Sequence, residues 1–190
     1  MGFTRNAKDL ISKRIAKITK CGITPINSEF GSSGRWVSAF GECVIFQNSP
    51  PEKYRHLALQ FVRHIETAFE EYLSAHNSLK DLLGNGGGRW SPYFKALNHL
   101  EATISHLYMA YDVARKKLGK EYYQKNDGSD YDRLNKLFNA SKHQVASSEQ
   151  VLWITNKGVS TDKTSITFIE IEGKLRSYGK LANRITNQGM

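Results

Sequence analysis

The chain has little cysteine and no long apolar run. Its 190 residues include only two cysteines, Cys21 and Cys43, which are too few for a disulfide framework or a thiolate metal site. No stretch approaches the ~18 consecutive apolar residues of a transmembrane helix, and the first residues lack the apolar segment of a secretory signal. These absences predict a cytoplasmic protein that does not associate with a membrane.

Motifs of metal enzymes and of phosphate-binding loops are missing as well. Among the six histidines, two pairs could share a helix face: His56 with His64, and His99 with His106. Neither pair has the short His-x-x-x-His spacing or the paired carboxylates of a metal site in a helical bundle. The glycine-rich stretch 84–90 lacks the Gly-Lys-Ser/Thr ending of a P-loop. We therefore expect neither a metal nor a cofactor.

Positive charge is in clear excess. The formal net charge is +9, which is typical of proteins that bind polyanions, nucleic acid first, although a basic surface can also bind an acidic partner protein. Residues 6–20 predict a short cationic helix whose apolar residues share one side: Leu10, Ile11, Ile15 and Ile18. This helix would either dock with its basic face in solvent or serve as an arm for RNA or a membrane. Residues 1–50 are thus predicted to form a basic helix and an irregular wrap, and residues 51–190 the main helical bundle.

Two long apolar rows at helical spacing predict an all-α fold. The rows span 52–83 and 92–118 and are separated by a short glycine-rich loop, so we expect a long antiparallel helix pair. The acidic residues Glu66, Glu70 and Glu71 are expected to form a solvated face of the first helix.

Shorter elements complete the predicted bundle. Helices are expected near 130–144 and 167–187, the second of them capped by Thr164 or Ser165. Between these helices, the β-prone residues near 151–166 predict a small extended or hairpin element.

The third predicted helix carries the most informative stretch, a basic amphipathic segment that ends in Asn139-x-x-Lys142-His143. Asn139 and His143 are four residues apart, so on a helix they share one face. An imidazole beside an amide and a lysine can hold a phosphate and move a proton near neutral pH. The alternative is a polar helix end at which His143 caps the last carbonyls.

This Asn-x-x-Lys-His segment resembles the signature region of the HEPN superfamily, a group of small helical-bundle proteins. The stretches Val151–Gly158 and Ile166–Glu170 also resemble bacterial proteins of that group, and the resemblance covers roughly residues 51–185. It implies a HEPN-like bundle and a metal-independent endoribonuclease of toxin–antitoxin, abortive-infection or antiviral defence systems. It further implies a homodimer whose two motifs meet, and an antitoxin or another defence protein as a possible partner.

Cleavage of RNA without a metal needs a base, cations for the phosphate and a group that orients them. His143 is the candidate general base, Lys142 a catalytic cation and Asn139 the orienting amide. The candidate residues for binding single-stranded RNA are Lys136, Arg133 and Tyr131. Among these, Tyr131 could stack on an unpaired base.

One residue departs from the family pattern. The family has an arginine directly before the residue that corresponds to Asn139, and this chain has Phe138 there. Lysine is a poor substitute where a planar guanidinium must contact a phosphate with two hydrogen bonds. Two hypotheses therefore remain open: an endoribonuclease that acts through His143, or a non-catalytic module that binds RNA or a protein and has lost the catalytic arginine.

Overall fold

The computed structural model describes residues 5–21, 52–84, 90–118, 128–142 and 151–187. Within these ranges it contains five helices and three short strands, in the order α1 (Arg5–Cys21), α2 (Glu52–Gly84), α3 (Trp90–Leu118), α4 (Asp130–Lys142), β1 (Trp153–Ile154), β2 (Gly158–Ser160), β3 (Ser165–Thr167) and α5 (Phe168–Asn187). The mostly helical fold predicted from the sequence is confirmed. The irregular wrap predicted after the first helix lies outside the described residues.

The long helix pair is confirmed and forms the centre of the core. Apolar side chains recur every three or four residues, which places them on one face of each helix. On α2 these buried residues include Phe61, Ile65, Phe69, Tyr72 and Leu79, and on α3 they include Tyr93, Leu100, Ile104 and Leu107. The pair is antiparallel, since His64 contacts His106 and Glu71 contacts His99.

The helix α4 begins at a serine cap and packs against α3. The Ser129 hydroxyl accepts a hydrogen bond from the backbone N–H of Asp132 at 3.2 Å, which satisfies one of the free donors of the first turn. The inward side of α4 is formed by Tyr131, Leu134, Leu137 and Ala140. Most other side chains of α4 are half-buried, and only Asp130 and Lys142 at its two ends are exposed.

The predicted extended element near 151–166 is a three-stranded antiparallel sheet in the order β1–β2–β3. Val159 pairs with Ile154 on one side and with Ile166 on the other, and all three are buried. The sheet is attached to α3, because the Tyr93 hydroxyl accepts a hydrogen bond from the backbone N–H of Ile154 at 3.3 Å.

The cap of α5 is Thr167 rather than Thr164 or Ser165. The Glu170 carboxylate accepts hydrogen bonds from the Thr167 N–H at 2.7 Å and from its hydroxyl at 2.8 Å. In return, the Thr167 hydroxyl accepts one from the Glu170 N–H at 3.1 Å. This reciprocal arrangement is a capping box. The two predicted caps lie earlier because Thr164 closes the turn before β3 and Ser165 belongs to that strand.

The basic helix α1 is docked on the fold. Its residues Ile15 and Ile18 are buried in the common core. The guanidinium of Arg14 lies 4.2 Å from the centre of the Trp153 ring in β1, a favourable cation–π distance. No helix among the described residues is both long enough and apolar enough to cross a lipid bilayer.

Candidate functional site

Arg133 joins α4 to α5. Its Nη2 donates to the Glu170 carboxylate at 2.8 Å and to the backbone carbonyl of Ser165 at 2.9 Å. The carboxylate of Asp130 lies 3.7 Å from its Nη1. Burial alone would raise the pKa of the Glu170 carboxyl, but hydrogen bonds from Thr167 and Arg133 outweigh burial and lower it. The guanidinium predicted to hold RNA thus already has partners within the chain.

Lys136 and Asn139 are also paired within α4. Lys136 Nζ lies 2.6 Å from the carboxylate of Asp132, whose side chain is only 1% exposed. A carboxylate this deeply buried needs a cation nearby, so the pairing resists separation. Asn139 Nδ2 donates to Asn135 Oδ1 at 2.9 Å. Two of the predicted site residues therefore serve the helix itself in this conformation.

The motif's remaining residues lie at the end of α4. Lys142 is the last residue of α4 and is exposed. His143, the candidate base, lies outside the described residues. The structure therefore brings Asn139 and Lys142 onto one helix end.

Aromatic rings connect α4 to α3. Phe138 stacks on Tyr108 with ring centres 4.7 Å apart and planes 19° from parallel. Tyr131 stacks on the same Tyr108 at 5.3 Å, and their hydroxyls lie 3.1 Å apart. Tyr131 also packs on Tyr111 at 4.8 Å. Phe138 thus has a packing role at the position where the family pattern has an arginine.

A cavity of about 520 Å³ lies where α3, α4 and α5 meet. Three tyrosines, two carboxylates, one lysine, two serines and a glycine line it: Tyr111, Ser129, Asp130, Tyr131, Glu170, Gly173, Lys174, Ser177 and Tyr178. Small-molecule sites in proteins commonly measure about 300–1,000 Å³. The volume and the mixed lining make this cavity a candidate binding site.

The charges in the cavity are paired. Lys174 Nζ lies 2.6 Å from the Asp130 carboxylate, and the lysine side chain is only 11% exposed. Burial raises the pKa of the Tyr178 phenol, and the nearby Tyr111 and Asp130 raise it further. The phenol therefore stays protonated and can donate a hydrogen bond at neutral pH.

A second polar cluster lies between the long helices α2 and α3. The Nδ1 atoms of His64 and His106 are 3.0 Å apart, and His99 Nδ1 lies 2.6 Å from the Glu71 carboxylate. Glu71 was expected to be solvated, and it instead contacts the facing helix. Within the described residues, no group of three or more His, Cys, Asp or Glu side chains could hold a metal ion.

The protonated forms of the two facing imidazoles are disfavoured. Burial lowers the pKa of His64, and the charges of His106 and Arg63 lower it further. Burial also lowers the pKa of His106, while Glu71 opposes that shift. Between two neutral rings, one Nδ1–H donates and the other Nδ1 accepts, so the rings must be opposite tautomers. This pair can bind one proton far more easily than two.

The exposed side of α1 forms a row of cations. Lys13, Lys17 and Lys20 are exposed and recur at four and three residues, so they follow one face of the helix. The opposite side is buried through Ile15 and Ile18. We call Lys13, Lys17 and Lys20 the α1 lysine row.

Sequence reasoning missed the histidine cluster and the cavity. The spacing of seven residues, from 64 to 71 and from 99 to 106, was a usable signal, because antiparallel helices bring equally spaced residues into contact. The cavity left no comparable signal, since its lining comes from three separate segments.

No family model, no curated protein and no solved structure matches this chain.

Proposed function

We propose that this protein binds single-stranded RNA in the cytoplasm, as a non-catalytic helical module of HEPN type. The observation that carries the proposal is the α1 lysine row. Its three ammonium groups are exposed on a helix whose other side is fixed in the core. Cations on a fixed element can contact successive phosphates without first ordering a flexible arm.

The contacts of α4 support binding without catalysis. Arg133 and Lys136 neutralise carboxylates of the chain itself, and Asn139 is bonded to Asn135. A phosphate would have to displace these partners, and the carboxylate of Asp132 would then be left buried without its lysine. Positive charge available to RNA is therefore expected on α1 rather than on this face of α4.

The test measures the affinity for a labelled single-stranded RNA by fluorescence anisotropy over a series of salt concentrations. The variant replaces the α1 lysine row with glutamine: Lys13→Gln, Lys17→Gln and Lys20→Gln. For single strands the slope of log K against log salt is about −0.7 for each neutralised phosphate. Loss of three contacts should thus make the slope shallower by roughly 2 and weaken binding at low salt.

A matched control removes the same charge elsewhere. Lys80, Lys95 and Lys163 are exposed on α2, on α3 and beside the sheet, and replacing them with glutamine also takes the formal net charge from +9 to +6. This control should keep most of the binding and most of the slope. Equal losses in both variants would show that only total charge matters, and absence of RNA binding by the unmodified protein would refute the proposal.

The second candidate function is a metal-independent endoribonuclease of a toxin–antitoxin or defence system. It is favoured by Lys142, which is exposed at the end of α4 with His143 next in the chain. This function would need two copies that meet at α4, with a mass in solution of twice 21.5 kDa.

Cleavage is tested with the same RNA in the presence of EDTA. Under the proposed function the RNA stays intact with both the unmodified protein and a His143→Ala variant. Rapid cleavage in EDTA that slows by about 10²–10⁴-fold in His143→Ala would instead establish the nuclease. Light scattering then shows whether that activity belongs to a dimer.

A further inference from the structure

The floor of the tyrosine-lined cavity is an uncovered part of α5. Gly173 lies within that helix, and a Cβ built there would meet no atom within 4 Å. A glycine inside a helix costs about 0.5–1 kcal/mol relative to alanine, so helix formation does not account for it. The missing side chain leaves a flat stretch of helix surface that a planar group can approach.

The walls of the cavity are aromatic. Tyr111 packs against Tyr131 at 4.8 Å and against Tyr178 at 5.9 Å, with planes inclined by 34° and 52°. These rings come from three different helices that share the core, so their positions are fixed before any ligand enters. Because Tyr131 and Tyr178 are buried and their faces already pack on other rings, the contacts left to an aromatic ligand are mainly edge-to-face, which aromatic pairs favour.

The charge balance of the cavity disfavours an ionic ligand. Asp130 is paired with Lys174 and Glu170 with Arg133. An anion or a cation would therefore have to break an existing pair. Asp130 and Lys174 can form further hydrogen bonds beside their ion pair, and the hydroxyl of the exposed Ser177 can both donate and accept. The lining thus matches an uncharged planar ring whose edge carries donors and acceptors.

We infer that this cavity binds a single unpaired nucleobase. A nucleobase is planar, uncharged and bordered by donors and acceptors, and proteins bind unstacked bases against aromatic side chains through hydrogen bonds to the base edge. The base belongs either to an RNA strand or to a free nucleoside. The first source rests on the proposed function, and the second does not.

The experiment detects binding of free nucleosides by saturation-transfer difference NMR, with ribose as the reference sugar. Without the phosphate contacts of a strand, affinity in the millimolar range is expected. Saturation should transfer to the base protons of the nucleosides, and free ribose, measured separately, should receive none. If none of the four nucleosides receives saturation, the inference is overturned.

Two obstructing variants localise the site. Gly173→Leu projects a side chain into the cavity from a position with open space, and Ser177→Leu does so from an exposed position on the same helix. Each should reduce nucleoside binding at least tenfold. The control is Gly84→Leu, the same change at a glycine with equally open surroundings that does not line the cavity. Thermal unfolding checks that each variant is folded. Unchanged binding in both folded obstructing variants overturns the inference.

RNA binding distinguishes failure of this inference from failure of the proposed function. Gly173→Leu should weaken RNA binding severalfold and leave the salt slope unchanged, because no phosphate contact is lost. Glutamine at the α1 lysine row should reduce the slope and leave nucleoside binding unchanged. If nucleosides bind and RNA does not, the cavity stands as a site for free nucleosides and the proposed function fails.

Discussion

Replacing Gly158 with alanine should destabilise the protein strongly. Gly158 lies in β2 opposite Thr167 of β3. A Cβ at this position would lie 2.6 Å from the Cα of Thr167 and even closer to the carbonyl oxygen of Ile166. Both neighbours are backbone atoms, so no flexible side chain can move aside. The two strands must separate, or the register must change.

The expected loss follows from the overlap and from the ladder. An overpacked site costs typically 1–3 kcal/mol, and a ladder hydrogen bond that is lost costs about 0.5–1.5 kcal/mol. Together these give about 2–4 kcal/mol. For a chain of this length each kcal/mol lowers the melting temperature by roughly 2–4 °C, so Gly158→Ala should melt about 5–15 °C below the unmodified protein.

The assay is thermal unfolding followed by far-UV circular dichroism, with Gly173→Ala as the matched control. The same added methyl group meets no atom within 4 Å at Gly173. Because it removes a glycine from a helix, this control should raise the free energy of unfolding by about 0.5–1 kcal/mol. Equal melting temperatures for the two variants would refute the reasoning, since open space and close backbone contact would then have the same effect.

Three other outcomes follow from polar contacts between helices. Because the pKa values of His64 and His106 are lowered in the folded state, the unfolded chain binds more protons, so the free energy of unfolding should fall as the pH drops below about 6.5. Replacing both histidines with leucine should reduce this fall in the free energy of unfolding, measured by urea unfolding at a series of pH values. An unchanged pH dependence would contradict the prediction. Tyr72→Phe should cost about 1–2 kcal/mol in urea unfolding, since it removes a 3.0 Å hydrogen bond to the buried Glu172; unchanged stability would mean that this bond contributes nothing. Arg133→Gln should lower the free energy of unfolding by only about 1 kcal/mol because the ion pair is partly exposed. It should also leave the salt slope of RNA binding unchanged, whereas a shallower slope would make this arginine a phosphate contact.

The helices were predictable because their signal is local. Phe61, Ile65, Phe69 and Tyr72 recur at helical spacing, and all are buried. The extent of α5 was predicted to within one residue at its start, but its cap was placed too early, although the capping box was present in the sequence from Thr167 onward. The prediction failed because the extent of β3 depends on pairing with β2, which the local sequence does not determine.

The candidate site was less predictable because its contacts join distant segments. The pair of Asp132 and Lys136 is spaced at four residues on one helix, so the sequence alone could have indicated it. The contact of Arg133 with Glu170 spans 37 residues and depends on how α4 and α5 pack. A cation that looks available in the sequence can thus be neutralised by a carboxylate that only the fold brings near.

The stacking of Phe138 on Tyr108 bears on how this chain relates to the family pattern. The rings are nearly parallel, with planes 19° apart, and Phe138 is only partly buried. A planar guanidinium stacks on a tyrosine face much as a phenyl ring does. The site that supports phenylalanine therefore also suits arginine, with its charged end toward solvent. Packing at this position would therefore tolerate either residue, and the difference between the two would be the charge presented beside Asn139.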